Sequence, residues 1–113
     1  MTALVVSLAA RSRRERRRLL EQAGYTVFTA GSFDEGSALL RRIRPDLLMV
    51  DVRLLDYNGV HLVLRAREEN PRTRAVIVGE PDIVLERDAA ALGALYLSTS
   101  DVPKFLSSLH RHA

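Results

Sequence analysis

Leu47-Leu48-Met49-Val50-Asp51-Val52-Arg53-Leu54-Leu55-Asp56-Tyr57-Asn58-Gly59 is the stretch that decides how this chain folds. The apolar run from Leu47 to Val50 fits a strand covered on both faces, the pattern of a parallel sheet. It ends on a carboxylate, Asp51, and gives way to a loop closed by Asn58-Gly59. An acid at the carboxyl end of a central strand in an α/β domain stands where such sheets bind ligands.

The same alternation of short apolar runs and amphipathic segments extends outward in both directions. Leu4 to Leu8 reads as a buried first strand, and Ser12-Arg13-Arg14-Glu15 has capping-box spacing for a helix ending before Gly24. Tyr25 to Thr29 is β-branched and aromatic, a second strand. Ser32-Phe33-Asp34-Glu35 repeats the capping-box spacing, and Pro45 stops that helix near Arg44. After the third strand, a helix is expected from about Val60 to Glu69 and a fourth strand over Ala75 to Val78. Pro81 suits the start of a helix with Asp82 in its first turn, ending before Gly93. Ala94 to Leu97 makes a short fifth strand, and Asp101 caps a last helix that runs to about His110. Five βα units predict an α/β fold: a doubly wound five-stranded parallel sheet, order 2-1-3-4-5, flanked by five helices.

At 113 residues the chain is expected to form one domain with one core. It has no cysteine, which excludes disulfides and thiolate metal sites. No apolar stretch approaches the ~20 residues of a membrane span, and no secretory signal opens the chain, so a cytoplasmic setting is expected. Of 17 basic residues only Lys104 is a lysine, and Arg11, Arg13, Arg14, Arg16, Arg17 and Arg18 crowd together. Such a cluster suits phosphate or an acidic surface, but charge runs more often form a solvated face. No aromatic interleaves it to stack on bases, which argues against nucleic acid as a partner of this domain.

Leu4-Val5-Val6, Ala23 to Val27, Pro45 to Asp51, Asn58-Gly59, Ala75 to Val78 and Gly93-Ala94 with Tyr96-Leu97 together resemble the receiver domain of response regulators. The resemblance covers nearly the whole chain, so residues 1–113 read as a single receiver-like domain with the flavodoxin-like receiver fold. It implies that Asp51 stands at the phospho-acceptor position. It also implies an acid pair after the first strand to hold Mg²⁺, and here those positions are Ser7 and Leu8. The implied hydroxyl after the fourth strand is Glu80, and the implied lysine after the fifth is Thr99, followed by Ser100. Tyr96 takes the position of a switching aromatic, expected here in one fixed orientation. Asp56, on the loop, is a poor substitute for the missing acids.

With those positions changed, Asp51 is expected to be a vestigial acceptor, hydrogen-bonded to loop amides or paired with Arg53. A Glu80–Arg53 contact across the crevice is expected as a static stand-in for the phosphorylated state. Arg16 falls where the family pattern expects an aliphatic residue, in register with Leu20 and Gly24. Either its helix is rotated, or the guanidinium snorkels outward, or it enters the space that the acid pair vacated. His61, His110 and His112 are scattered, with no spacing that suggests a metal site, and no catalytic arrangement is present.

The expected function is therefore a non-enzymatic, atypical receiver, a pseudo-receiver that acts through protein–protein contacts and needs no cofactor. Its contact surface would be the face of the fourth helix, fifth strand and fifth helix, with Val84, Leu85, Tyr96 and Phe105, meeting a protein partner or a second copy. The alternative is a phospho-accepting receiver in a two-component relay, modified at Asp51 by a sensor kinase with Mg²⁺. A third reading, a small ligand held by Ser7, Thr99 and Ser100, is disfavoured by the missing glycine-rich loop.

Overall fold

The computed structural model of the protein describes residues 1–55 and 57–109. Expectations that fall on Asp56, His110 and His112 lie outside them. In chain order the elements are β1 (Thr2–Val6), α1 (Ala10–Gln22), β2 (Thr26–Ala30), α2 (Phe33–Ile43), β3 (Leu47–Asp51), β4 (Arg53–Leu54), β5 (Tyr57–Asn58), α3 (Gly59–Glu69), β6 (Arg74–Gly79), α4 (Ile83–Ala91), β7 (Leu95–Ser98) and α5 (Val102–Leu109). A 3₁₀ turn, Thr99–Asp101, leads into α5.

The main sheet has the order β2-β1-β3-β6-β7, all parallel. Numbering only its own strands gives the doubly wound order 2-1-3-4-5. Two apolar layers cover it. Leu4, Val6, Leu48, Val50 and Ile77 pack against Phe33, Leu40, Leu62, Val63 and Ala66 on the side of α2 and α3. Val5, Met49, Val76 and Val78 pack against Leu20, Ala23, Val102 and Leu106 on the side of α1 and α5. Alternate residues of each strand thus serve opposite layers, as a period of two demands.

Local signals fix several boundaries. The Ser32 side chain accepts from the Glu35 amide, and Glu35 in turn accepts from Gly31 N–H at 3.1 Å, so α2 begins where its capping spacing predicts. Asn58 caps α3 with His61 in reciprocal contact. Asp82 caps α4 by accepting from the Val84 and Leu85 amides, so it precedes the helix instead of lying in its first turn, and Pro81 stands outside.

The start of α1 differs from expectation. Its cap is Ala9, without a side-chain bond, and Ser12 lies inside the helix. The reason lies in the loop just before it. Ser7 Oγ accepts from the Ala9 amide at 3.3 Å, and Arg13 Nη1 donates to the Ser7 and Leu8 carbonyls at 2.6 and 3.2 Å. These bonds turn the chain into a helix before the capping-box serine is reached. The short antiparallel ribbon of β4 and β5 was also not expected. It buries Leu54 and stacks Tyr57 on Phe33, ring centroids 4.3 Å apart.

Candidate functional site

The parallel order brings the carboxyl ends of β1, β3 and β6 to one edge, the switch point where such sheets bind ligands. A crevice of about 390 Å³ opens there, lined in part by Arg16, Asp51, Arg53, Glu80, Tyr96 and Thr99. Asp51 closes β3 in register with Val78 of β6. Its backbone is clamped by the loop that follows: the Val52 carbonyl accepts from the Gly59 amide at 2.7 Å. A Cβ on residue 59 would lie 2.5 Å from the Asp51 carbonyl oxygen, so the loop can return this closely only with glycine there.

Both carboxylate oxygens of Asp51 are engaged. Oδ2 accepts from the Ser7 hydroxyl at 2.5 Å, and Oδ1 accepts from Arg16 Nη1 at 2.7 Å. Ser7 is fully buried, and its hydroxyl both donates to Asp51 and accepts from Ala9, which fixes its orientation. Arg16 comes from the inward face of α1. Helical side chains lean toward the helix N-terminus, and that end of α1 lies beside the crevice. The partner of Asp51 is therefore Arg16, and the expected pairing with Arg53 is corrected. Arg53 belongs to the separate β4–β5 ribbon with its side chain exposed, whereas Arg16 is buried on the inward face of α1 and reaches the end of β3. Of the options for Arg16, the structure selects entry into the space beside Ser7 and Asp51.

The Glu80–Arg53 contact is not formed. Both side chains are exposed and make no ion pair with each other among the described residues. Glu80 serves the crevice with its backbone: its carbonyl accepts from the Tyr96 hydroxyl at 2.5 Å. The Tyr96 hydroxyl lies close to Gly79, as does the Val52 side chain. Burial, with the nearby carboxylates of Asp82, Glu86 and Glu80, pushes the Tyr96 phenol above its ordinary value of 10.0. Thr99 opens the 3₁₀ turn after β7 and lines the crevice with an exposed side chain. Leu8, 39% exposed, lines a neighbouring hollow with Tyr57 and His61.

The residues present do not fit a divalent cation. Such an ion needs several oxygen ligands. The Asp51 carboxylate is already bonded at both oxygens, beside a hydroxyl and a leucine, and the Glu80 and Asp82 carboxylates that also line the crevice do not gather with it into a ligand set. A guanidinium stands at the oxygen a metal would use. Among the described residues no three acids or histidines gather to hold a metal.

Residues 4–97 match the model of the response regulator receiver domain. The matched stretch contains Ser7, Arg16, Asp51, Glu80 and Tyr96, and stops short of Thr99. Among curated proteins, the chain is 34% identical over 70 residues to the probable transcriptional regulatory protein TcrX of Mycobacterium tuberculosis, covering 62% of this chain and 30% of that protein. It is 37% identical over 81 residues to the photosynthetic apparatus regulatory protein RegA of Cereibacter sphaeroides, covering 70% and 44% respectively. The chain spans less than half the length of either relative.

Among solved structures, a response regulator protein from Burkholderia pseudomallei with a phosphorylated aspartic acid, calcium ion and citrate superposes with a TM-score of 0.85 at 26% identity. The match covers 96% of this chain and 65% of that one. Chemotaxis protein CheY4 of Vibrio cholerae superposes with a TM-score of 0.84 at 23% identity, covering 97% and 96%, a likeness of fold. A doubly wound sheet, an aspartate at its switch point and a family match across most of the sequence converge, and the chain belongs to the response regulator receiver domain family of two-component signalling.

Proposed function

We propose that this receiver is atypical: it transmits through protein–protein contacts and does not accept a phosphoryl group. The observation that carries this is the double engagement of Asp51, Oδ1 by Arg16 and Oδ2 by Ser7. A carboxylate attacking phosphorus needs an oxygen lone pair free and in line, and positive charge arranged around the transferring oxygens. Here the nearest positive charge already neutralises the nucleophile. The places that the family gives to an acid pair, a hydroxyl and a lysine hold Ser7 and Leu8, Glu80 and Thr99.

The contact surface is the face built by α4, β7 and α5. Ile83 and Val84, on the first turn of α4, are 64% and 61% exposed, and Leu95 at the start of β7 is exposed as well. Phe105 of α5 is half-buried. Its occupant is a protein partner or a second copy of the chain, in a cytoplasmic setting and without enzymatic activity of its own.

The test is an amide NMR titration with beryllofluoride, a phosphoryl mimic, in the presence of Mg²⁺. An unchanged spectrum is the expected result. Shifts centred on Asp51, Glu80 and Tyr96 would overturn the proposal and make Asp51 a working acceptor.

A further inference from the structure

Of the six arginines between positions 11 and 18, only Arg16 is buried, at 5% exposure. Leu20 lies one helical turn further on the same face and packs into the layer between the sheet and α5. Arg16 thus holds a core-facing position, where a charge requires a partner. The Asp51 carboxylate at 2.7 Å is that partner.

We propose that Arg16 is a resident counter-cation in the place of a divalent metal ion, and that residues 16 and 8 together decide whether this crevice admits a metal. The inference rests on the reading above that Asp51 receives no phosphoryl group. A cation ligated by Asp51 Oδ1 would sit about 2 Å from that oxygen. It would then lie within about 5 Å of a guanidinium that is held at 5% exposure between its own helix and the sheet, and like charges that close repel. The second obstacle is Leu8, whose apolar side chain offers no ligand. A tethered guanidinium neutralises Asp51 at any metal concentration. The crevice is therefore preset, with no ion to gain or lose.

The two obstacles can be removed separately. The experiment compares the wild type with Leu8→Asp, with Leu8→Asp/Arg16→Leu and with Leu8→Asp/Arg16→Gln, each titrated with MgCl₂ and followed by melting temperature and amide NMR. Glutamine keeps a neutral hydrogen-bonding group beside Asp51 in case the leucine variant does not fold. Melting of the wild type and of Leu8→Asp is expected to be indifferent to millimolar Mg²⁺. Melting of the folded double variants is expected to rise with Mg²⁺ by mass action, with amide shifts gathered at residues 51–53. Equal Mg²⁺ binding by Leu8→Asp alone would overturn the inference, since Arg16 would then be no barrier. So would folded double variants that bind none. Failure here leaves the unchanged beryllofluoride spectrum standing, whereas a wild type that takes up beryllofluoride with Mg²⁺ sinks both readings.

Discussion

The Tyr96 hydroxyl donates to the Glu80 carbonyl at 2.5 Å, and the ring reaches that carbonyl because residue 79 is glycine. A Cβ at position 79 would stand 2.6 Å from the Tyr96 oxygen and 2.9 Å from a Val52 methyl. The hydroxyl that the family would place after this strand is absent, and a backbone carbonyl holds the aromatic in its stead. The bond ties β7 to the loop that leads into α4.

Gly79→Ala is therefore expected to push the tyrosine out of its seat. Overpacking of this kind costs about 1–3 kcal/mol, read as a shift in the chemical-denaturation midpoint. Tyr96→Phe at the same site loses only the hydrogen bond, about 1 kcal/mol. Equal losses for the two substitutions would show that the close approach carries no strain.

The raised Tyr96 phenol gives a pH dependence with a definite sign. Its folded pKa lies above the ordinary 10.0, so the folded state keeps its proton after the unfolded chain has lost it. Stability from this group is complete below pH 10, and it falls as pH rises through the folded pKa, because the unfolded state then binds fewer protons. Denaturation midpoints followed upward from pH 9 are expected to decline more steeply in the wild type than in Tyr96→Phe. Parallel declines would remove Tyr96 as the cause.

The Arg16–Asp51 pair predicts an asymmetric double-mutant cycle. Asp51→Ala leaves a buried guanidinium without its partner and is expected to cost about 3 kcal/mol, the low end for such a deletion. The low end applies because the Asp51 side chain retains 24% exposure. Arg16→Met removes the buried charge while filling its space, and should cost less. Adding Asp51→Ala to Arg16→Met should then cost little more. Additive losses in chemical denaturation would mean that the two residues do not act as a unit.

How far the fold could be read from sequence follows from where each signal resides. The strand Leu47–Asp51 was legible to the residue, because a run buried on both faces needs only its own composition to be recognised. The start of α2 was legible because Ser32 and Glu35 bond within one turn. The start of α1 was not, since bonds from Arg13 and within the Ser7–Ala9 loop override the local cap signal at Ser12. At the site, Arg16 stood out as an arginine in an aliphatic position, with entry into the vacated acid-pair space as one of three options left open. Its pairing with Asp51 spans 35 residues, and no local pattern encodes that. The Glu80–Arg53 contact was inferred from charge and expected proximity, and solvated side chains at a crevice mouth gain too little from pairing to fix one geometry.

Leu55 sits in the turn between β4 and β5 with φ of 49°, in the left-handed region that a leucine enters at a cost. Its side chain is 84% exposed, so it returns almost no packing. Leu55→Asn is expected to stabilise the domain by up to about 1 kcal/mol, since asparagine tolerates this conformation. A denaturation midpoint that stays level or falls would show that the turn gains something from leucine that the free chain does not reveal.

Ile83 and Val84 carry the last prediction, because they separate fold from function. Both lie on the solvent side of α4, while Ala89 of the same helix is its buried anchor. Ile83→Ser with Val84→Ser removes exposed apolar surface and leaves the Asp82 cap and the core untouched. Stability should change by no more than about 0.5 kcal/mol per site. If the α4–β7–α5 face meets a second copy, the same variant should weaken concentration-dependent association in sedimentation velocity. Folding intact and association lost would place the contact on this face. Association unchanged at full stability would move the search to the arginine-rich side of α1.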